Sequence, residues 1–312
     1  MKKSIFPLLL FLCWAHCTIS AQVSFTTDTT GYVKVTFADN AATVVISSDI
    51  QDYITTTING GHVTITSTAT ADINEIGYGL YGSTTNGSFT FIGSYKATLE
   101  LFGVNITNPS GAAILIQNGK RIEISAKNGT ISNLTDGTST ETDAWKGALY
   151  CKGHIQFKGY GTLNVYGNYA HAIKAGEYIQ VKNCTINVHS AIKDAVNCNQ
   201  YFTMESGVMN LSGFGDDGIQ VDLKANDTSA ENTGDFTMNG GTININMTGA
   251  EGQSVKTEGT QSVADGAALN LTTDLNETTN TPVQTNLIIR NGQVVIEHGQ
   301  QQFTPSGKEI HL

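Results

Sequence analysis

One feature constrains this chain more than any other: a short motif returns at a nearly fixed interval. Gly147-Ala-Leu-Tyr-Cys151 recurs as His171-Ala-Ile-Lys-Ala175, as Asp194-Ala-Val-Asn-Cys198 and as Asp217-Gly-Ile-Gln-Val221, at steps of 24, 23 and 23 residues. A second segment follows in each unit: His154-Ile-Gln-Phe157, Tyr178-Ile-Gln-Val181, Tyr201-Phe-Thr-Met204 and Asp235-Phe-Thr-Met238. A third closes it: Thr162-Leu-Asn-Val165, Thr185-Ile-Asn-Val188, Val208-Met-Asn-Leu211 and Thr242-Ile-Asn-Ile245. Most of these segments alternate apolar and polar residues, the period of a half-buried strand. Three strands per unit is the arithmetic of one coil of a parallel β-helix, whose coils stack about 4.8 Å apart.

That register sorts the side chains. Ile155, Ile179, Phe202 and Phe236 form one inward column; Phe157, Val181, Met204 and Met238 form the next; Leu163, Ile186, Met209 and Ile243 belong to the third sheet. Cys151, Ala175, Cys198 and Val221 share an inward column, so the thiols are expected buried and unpaired. With Cys184 the count past the leader is odd, which excludes a fully paired framework, and no spacing suggests zinc. Ala97–Leu101, Ala113–Ile116 and Arg121–Ile124 extend the pattern upstream.

Residues 1–21 read as a secretory signal peptide, with Lys2 and Lys3 before a short apolar stretch, and predict a secreted or cell-surface protein. Residues 22–75 alternate without the coil period and read as an N-terminal β cap for an otherwise open coil end. The β-helix is expected over 76–260, a polar linker over 261–285, and a C-terminal β element over 286–312, where Asn291-Gly292 signals a hairpin. No later segment reaches the roughly 20 apolar residues of a spanning helix. The net charge of −10 argues against a nucleic-acid partner.

From Lys146 to Asp222, and in YGSTTNGSFT (81–90) and NPSGAAILIQNGKRIEIS (108–125), the chain resembles a bacterial family of secreted carbohydrate-binding parallel β-helix proteins. The resemblance covers about residues 75–260. It implies an all-β, right-handed parallel β-helix of pectate-lyase-like shape, bound calcium, affinity for plant-type or acidic polysaccharide, and binding without catalysis. The chain departs from the family pattern at Asp194-Ala195 and Glu251-Gly252, where Asp-Gly is usual.

Candidate sites follow from the columns. Asp194, Asp217 and Glu251 fall in one register, with Asp216 beside it and Asp222 further along. Stacked like charges need neutralising, and calcium suits oxygen ligands, so these five are the expected metal residues. The alternative is a solvated acidic corner paired with Lys193. Tyr178 and Tyr201 share an outward column with His154, and Tyr150 shares one with Lys174, Asn197 and Gln220. Aromatic rings can stack on sugars while Lys and Asn bond hydroxyls or carboxylates, so Tyr178, Tyr201, Lys174, Tyr150 and Asn197 are the expected polysaccharide contacts. Burial of the tyrosines under a loop is the equal alternative. Asn164, Asn187, Asn210 and Asn244 are expected to bond along their ladder, chiefly as structure. No catalytic triad is legible, and Gly215–Gly218 lacks the companion motifs of a pectin hydrolase. The reading is a carbohydrate-binding protein; a calcium-dependent polysaccharide lyase and a structural adhesion module are the alternatives.

Overall fold

The computed structural model of the chain describes residues 22–138, 145–273, 285–290, 293–298, 301–303 and 309–310. The leader and Asn291-Gly292 lie outside the described residues. Among these residues the only helical segment is a short 3-10 turn, Ser48–Tyr53; everything else regular is strand. The protein is all-β and solenoid-like, built from three ladders of parallel strands.

The first ladder runs Gly61–Ser67, Gly87–Ile92, Ile114–Gln117, Gly147–Cys151, His171–Ala175, Val196–Asn199, Ile219–Asp222 and Val255–Thr257. The second runs Ala97–Leu101, Ile122–Ala126, Ile155–Gly159, Ile179–Val181, Tyr201–Met204, Asp235–Met238 and Gln261–Val263. The third runs Asn105–Thr107, Ile131–Thr135, Thr162–Tyr166, Thr185–Ser190, Val208–Leu211, Thr242–Asn246 and Ala268–Thr272. The registers are those the repeat predicts: Ile155 meets Ile179, then Phe202 and Phe236.

Three separate sheets are expected from the repeat, but the second and third ladders are joined. The nine-residue strand Ile76–Thr84 pairs with Ala97–Leu101 through its first half and with Asn105–Thr107 at its end. One continuous strand, bent at Gly82 where φ is +79°, therefore spans both walls, and hydrogen bonding connects the strands into two sheets.

The expected polar linker is corrected at its start. Gln261–Val263 and Ala268–Thr272 are the last rungs of the second and third ladders. Their polarity reflects position: no further coil follows these rungs, and Ala268–Thr272 meets only Thr285 on its far side, at Leu271, so Leu269 and Leu271 are half-buried where their predecessors Ile243 and Ile245 are buried. The cap is also more continuous with the stack than its sequence suggests. Tyr32–Ala38 and Ala41–Ser47 are antiparallel, yet Tyr32–Ala38 also runs parallel to Ile76–Thr84. At the other end, Thr285–Arg290 and Gln293–His298 pair antiparallel, as the hairpin signal requires.

Corners turn on left-handed backbone. Gly159 has φ +91°, and a Cβ there would lie 2.0 Å from the carbonyl oxygen of Ala126; only glycine fits. Inside, the columns close-pack: Phe202 and Phe236 stack with centroids 5.3 Å apart and planes 8° from parallel. Cys151 and Cys198 are buried and free, as their column predicts, Cys184 is buried and free as well, and burial pushes each thiol up to about 12.

Candidate functional site

The turns that enter two successive strands of the first ladder, Val196–Asn199 and Ile219–Asp222, gather the acids. Asp194, Asp216 and Asp217 bring one carboxylate oxygen each within 4.8 Å of one another. Asp194 is buried and held on both oxygens: His171 Nδ1 lies 3.1 Å from Oδ2, Asn197 Nδ2 donates to Oδ2 at 2.6 Å, and the Asp217 N–H donates to Oδ1. Burial opposes its charge, but the bonds from His171, Asn197 and Asp217 outweigh that and hold the carboxyl below its ordinary range. Asp217 is buried too; its Oδ1 accepts the Gln253 N–H at 2.7 Å and its Oδ2 lies 3.2 Å from Lys256 Nζ. Asp216 is exposed. Its carboxyl is pushed up, by desolvation first and then by the charges of Asp217 and Asp194.

Two of the five expected metal residues stand apart. Asp222 lies at the far end of its strand, where it accepts a bond from Gln220 at 2.7 Å. Glu251 is exposed and reaches Asp216 only through its field. Gly252 closes against the cluster instead: a Cβ there would sit 2.3 Å from Asp217 Oδ1 and 2.5 Å from Asp216 Oδ1. Lys256 was missed in the sequence although a signal was present, since Val255-Lys-Thr257 repeats Ile219-Gln-Val221 in register.

The outward column of the first ladder is Tyr150, Lys174, Asn197, Gln220 and Lys256, one per rung. Tyr150 and Lys174 are half-buried. Lys174 Nζ donates to Asn197 Oδ1 and, at 3.1 Å, to Asn199 Oδ1, and burial lowers its pKa. Asn197 is not the open surface amide that the sequence suggests. It is 4% exposed, and its amide joins Asp194, Lys174 and Gln220, so it braces the acid cluster against the column.

The tyrosine pair is assembled, but with Tyr178 buried and Tyr201 half-buried. Tyr178 and Tyr201 stack at 4.5 Å and 12°, and His154 meets Tyr178 edge-on at 4.2 Å. Tyr178 is only 9% exposed. His154 Nε2 lies 2.5 Å from Glu177, whose other oxygen is held by Lys224, while Gln200 holds Asp227. Lys224 and Asp227 belong to the insertion over residues 223–234, which is tied to this corner. The loop-covered alternative therefore describes Tyr178 better than an open platform does.

The asparagine ladder is longer than the four rungs read from the repeat. Asn105, Asn133, Asn164, Asn187, Asn210, Asn244 and Asn270 are in register, and each Nδ2 donates to the Oδ1 of the rung before, at 2.7–2.8 Å from Asn164 onward.

No helix among the described residues is long and apolar enough to cross a membrane. No curated protein matches the chain. The structure is similar to that of the polysaccharide lyase-like protein from C. thermocellum, solved as a gadolinium derivative. The TM-score is 0.63 at 23% identity, over 76% of this chain and 99% of that one. A family model described as carbohydrate-binding domain-containing protein matches residues 23–311, nearly the whole length, and the chain belongs to that family.

Proposed function

We propose that this is a secreted or cell-surface carbohydrate-binding protein, a right-handed parallel β-helix whose first ladder recognises an acidic polysaccharide of plant cell-wall type with the help of calcium. One observation carries the reading: the outward column from Tyr150 to Lys256 runs beside three clustered aspartates. The column offers ammonium, amide and phenol groups to a uronate, and the cluster offers hard oxygen donors to a cation.

The donor set fits calcium. Two carboxylates are buried, and like charges at this distance call for a counter-ion. Lys256 supplies that charge to Asp217 at 3.2 Å. Calcium held by Asp194, Asp216 and Asp217 would take over this role and free the Lys256 ammonium for a polymer carboxylate. Glu251 and Asp222 have no part in the cluster itself.

Affinity electrophoresis in gels containing polygalacturonate tests the reading. Retardation should rise with calcium and fall with chelator, and chelator should lower the melting temperature, since an ion bound only by the native state stabilises it. Asp217→Asn should remove most of both differences. Retardation and melting curves indifferent to calcium would leave only the braced acidic corner.

A calcium-dependent lyase is the second reading, favoured by the lowered pKa of Lys174, the direction a proton-abstracting amine requires. On that reading the same incubation would release unsaturated uronide, absorbing in the ultraviolet; the binding reading expects none.

A further inference from the structure

The third ladder turns a different chemistry outward. Its strands present three columns: Ile131, Thr162, Thr185, Val208, Thr242, Ala268; the seven asparagines; and Thr107, Thr135, Tyr166, Ser190, Ser212, Asn246, Thr272 at or beside the strand ends. None of these positions is Lys, Arg, Asp or Glu, in a chain of net charge −10. The first ladder carries Lys174 and Lys256 outward, and the second carries Glu123 and Lys158.

The asparagines are fixed donors and acceptors. A primary amide has two N–H groups and two oxygen lone pairs. One N–H and one lone pair of each interior rung are spent on the ladder, so each keeps a second N–H for a visitor and, except at Asn164, whose oxygen also lies 3.4 Å from His189 Nε2, a second lone pair. Neighbouring rungs lie about 4.8 Å apart, close to the length of one sugar residue. Their rotamers are already held, so binding costs little further side-chain order. An amide also meets a hydroxyl without stripping water from an ion, which a lysine or carboxylate would have to do.

Two further features mark the ends of this strip. Around its last rungs, Asn210, Ser212, Asn244, Asn246, Asn270 and Thr272 border a groove of about 290 Å³. Two rungs earlier, the rings of Tyr166 and His189 stack at 4.7 Å and 13°, with His189 exposed. A ring pair of this kind offers an apolar face to a pyranose.

We propose that the third ladder is a second glycan-binding face, and that its ligand is an uncharged, extended polysaccharide laid along the asparagines from the Tyr166–His189 pair into the groove at Asn246. The proposal rests on the carbohydrate-binding reading but uses a separate wall, a separate donor set and no metal. A chain spanning ring pair and groove needs several sugar units, so short oligosaccharides bind more weakly than polymer.

The test is affinity electrophoresis of the whole protein, with chelator present, in gels containing hydroxyethylcellulose. Polygalacturonate gels with calcium run in parallel. Two variants probe the two ends. Asn246→Asp keeps the acceptor that the Thr248 N–H uses at 3.0 Å and brings a charge into the groove. Tyr166→Ala removes half of the ring pair. Each should weaken retention by hydroxyethylcellulose about tenfold, the scale of one good contact, and leave retention by polygalacturonate unchanged. The two sites are rungs apart, so a variant that melts early leaves the other to decide. Retention by hydroxyethylcellulose that neither variant changes overturns the proposal. So does a wild type held by polygalacturonate and not by hydroxyethylcellulose, which leaves the acidic-glycan reading standing. A wild type held by neither polymer overturns both.

Discussion

Asp136 is the least comfortable residue in the described structure. It is 2% exposed, it accepts a bond from the Asn168 N–H, and its Oδ2 and the Trp145 Nε1 are both shut away from solvent. Burial pushes its carboxyl up to about 7, against the lesser pull of the Asn168 and Trp145 groups. The unfolded chain titrates the same group near 4. A folded pKa above the unfolded one means that stability is fully present below about pH 4 and is lost as pH rises through about 7. The three-unit gap corresponds to on the order of 4 kcal/mol at most. Melting temperature should therefore drop between pH 4 and 8, and Asp136→Asn, which keeps an acceptor for Asn168, should flatten that drop. A variant with the wild-type slope would refute this. Nothing in the sequence marked Asp136, because its burial depends on Trp145 and Asn168 arriving from elsewhere in the chain. The cysteines were legible for the opposite reason: a column of small apolar residues fixes its members' surroundings without knowledge of any other element.

At the scale of one element, the asparagine ladder makes a graded prediction. Asn210→Ala removes an interior rung and strands both the Asn187 oxygen and the Asn244 N–H. Asn270→Ala removes the last rung and strands only the Asn244 oxygen. Each unmatched buried partner costs about 1–3 kcal/mol, and these are only half-buried, so the low end applies. The interior variant should lose roughly twice the stability of the terminal one in urea titration. Equal losses would mean that the rungs act independently of their bonds. The strands of these ladders could be read from period and register alone. Ala268–Thr272 shows why its rung was lost to a presumed linker: Leu-Asn-Leu carries the same alternation as Ile243-Asn-Ile245, but it sits among polar neighbours that a terminal coil tolerates. The acid cluster was half legible for a related reason. Strand register places Asp194 and Asp217 together, while the turn before each strand, which the period does not specify, decides that Asp216 joins them and Glu251 does not.

Across the whole molecule, the walls divide the chemistry. The first ladder concentrates ammonium groups beside carboxylates, the third excludes charge, and the corner between the first and second is closed by the tied insertion over residues 223–234. On the two proposals made above, the protein meets glycans on two walls of different chemistry. Its acidity keeps the first face from adhering to uronates unaided, so attachment there should respond to divalent ions while attachment on the third face does not.

The strand Ile76–Thr84 gives the stack a mechanical character. Elsewhere each rung is divided by corners, and a pull along the axis could peel rungs one at a time. Here a single strand, continuous through its bend at Gly82, belongs to two walls at once and is clamped to Tyr32–Ala38 on its other edge. Load applied at the N-terminal end reaches both walls together, in shear across many parallel bonds. In a single-molecule pulling experiment that end should hold until one large rupture, while the opposite end, where Gln261–Val263 and Ala268–Thr272 are separate strands, should yield in smaller steps. A saw-tooth of equal small steps from the N-terminal end would show that the shared strand bears no special load. A solenoid of this design resists load best at its N-terminal end and sacrifices its last rungs first.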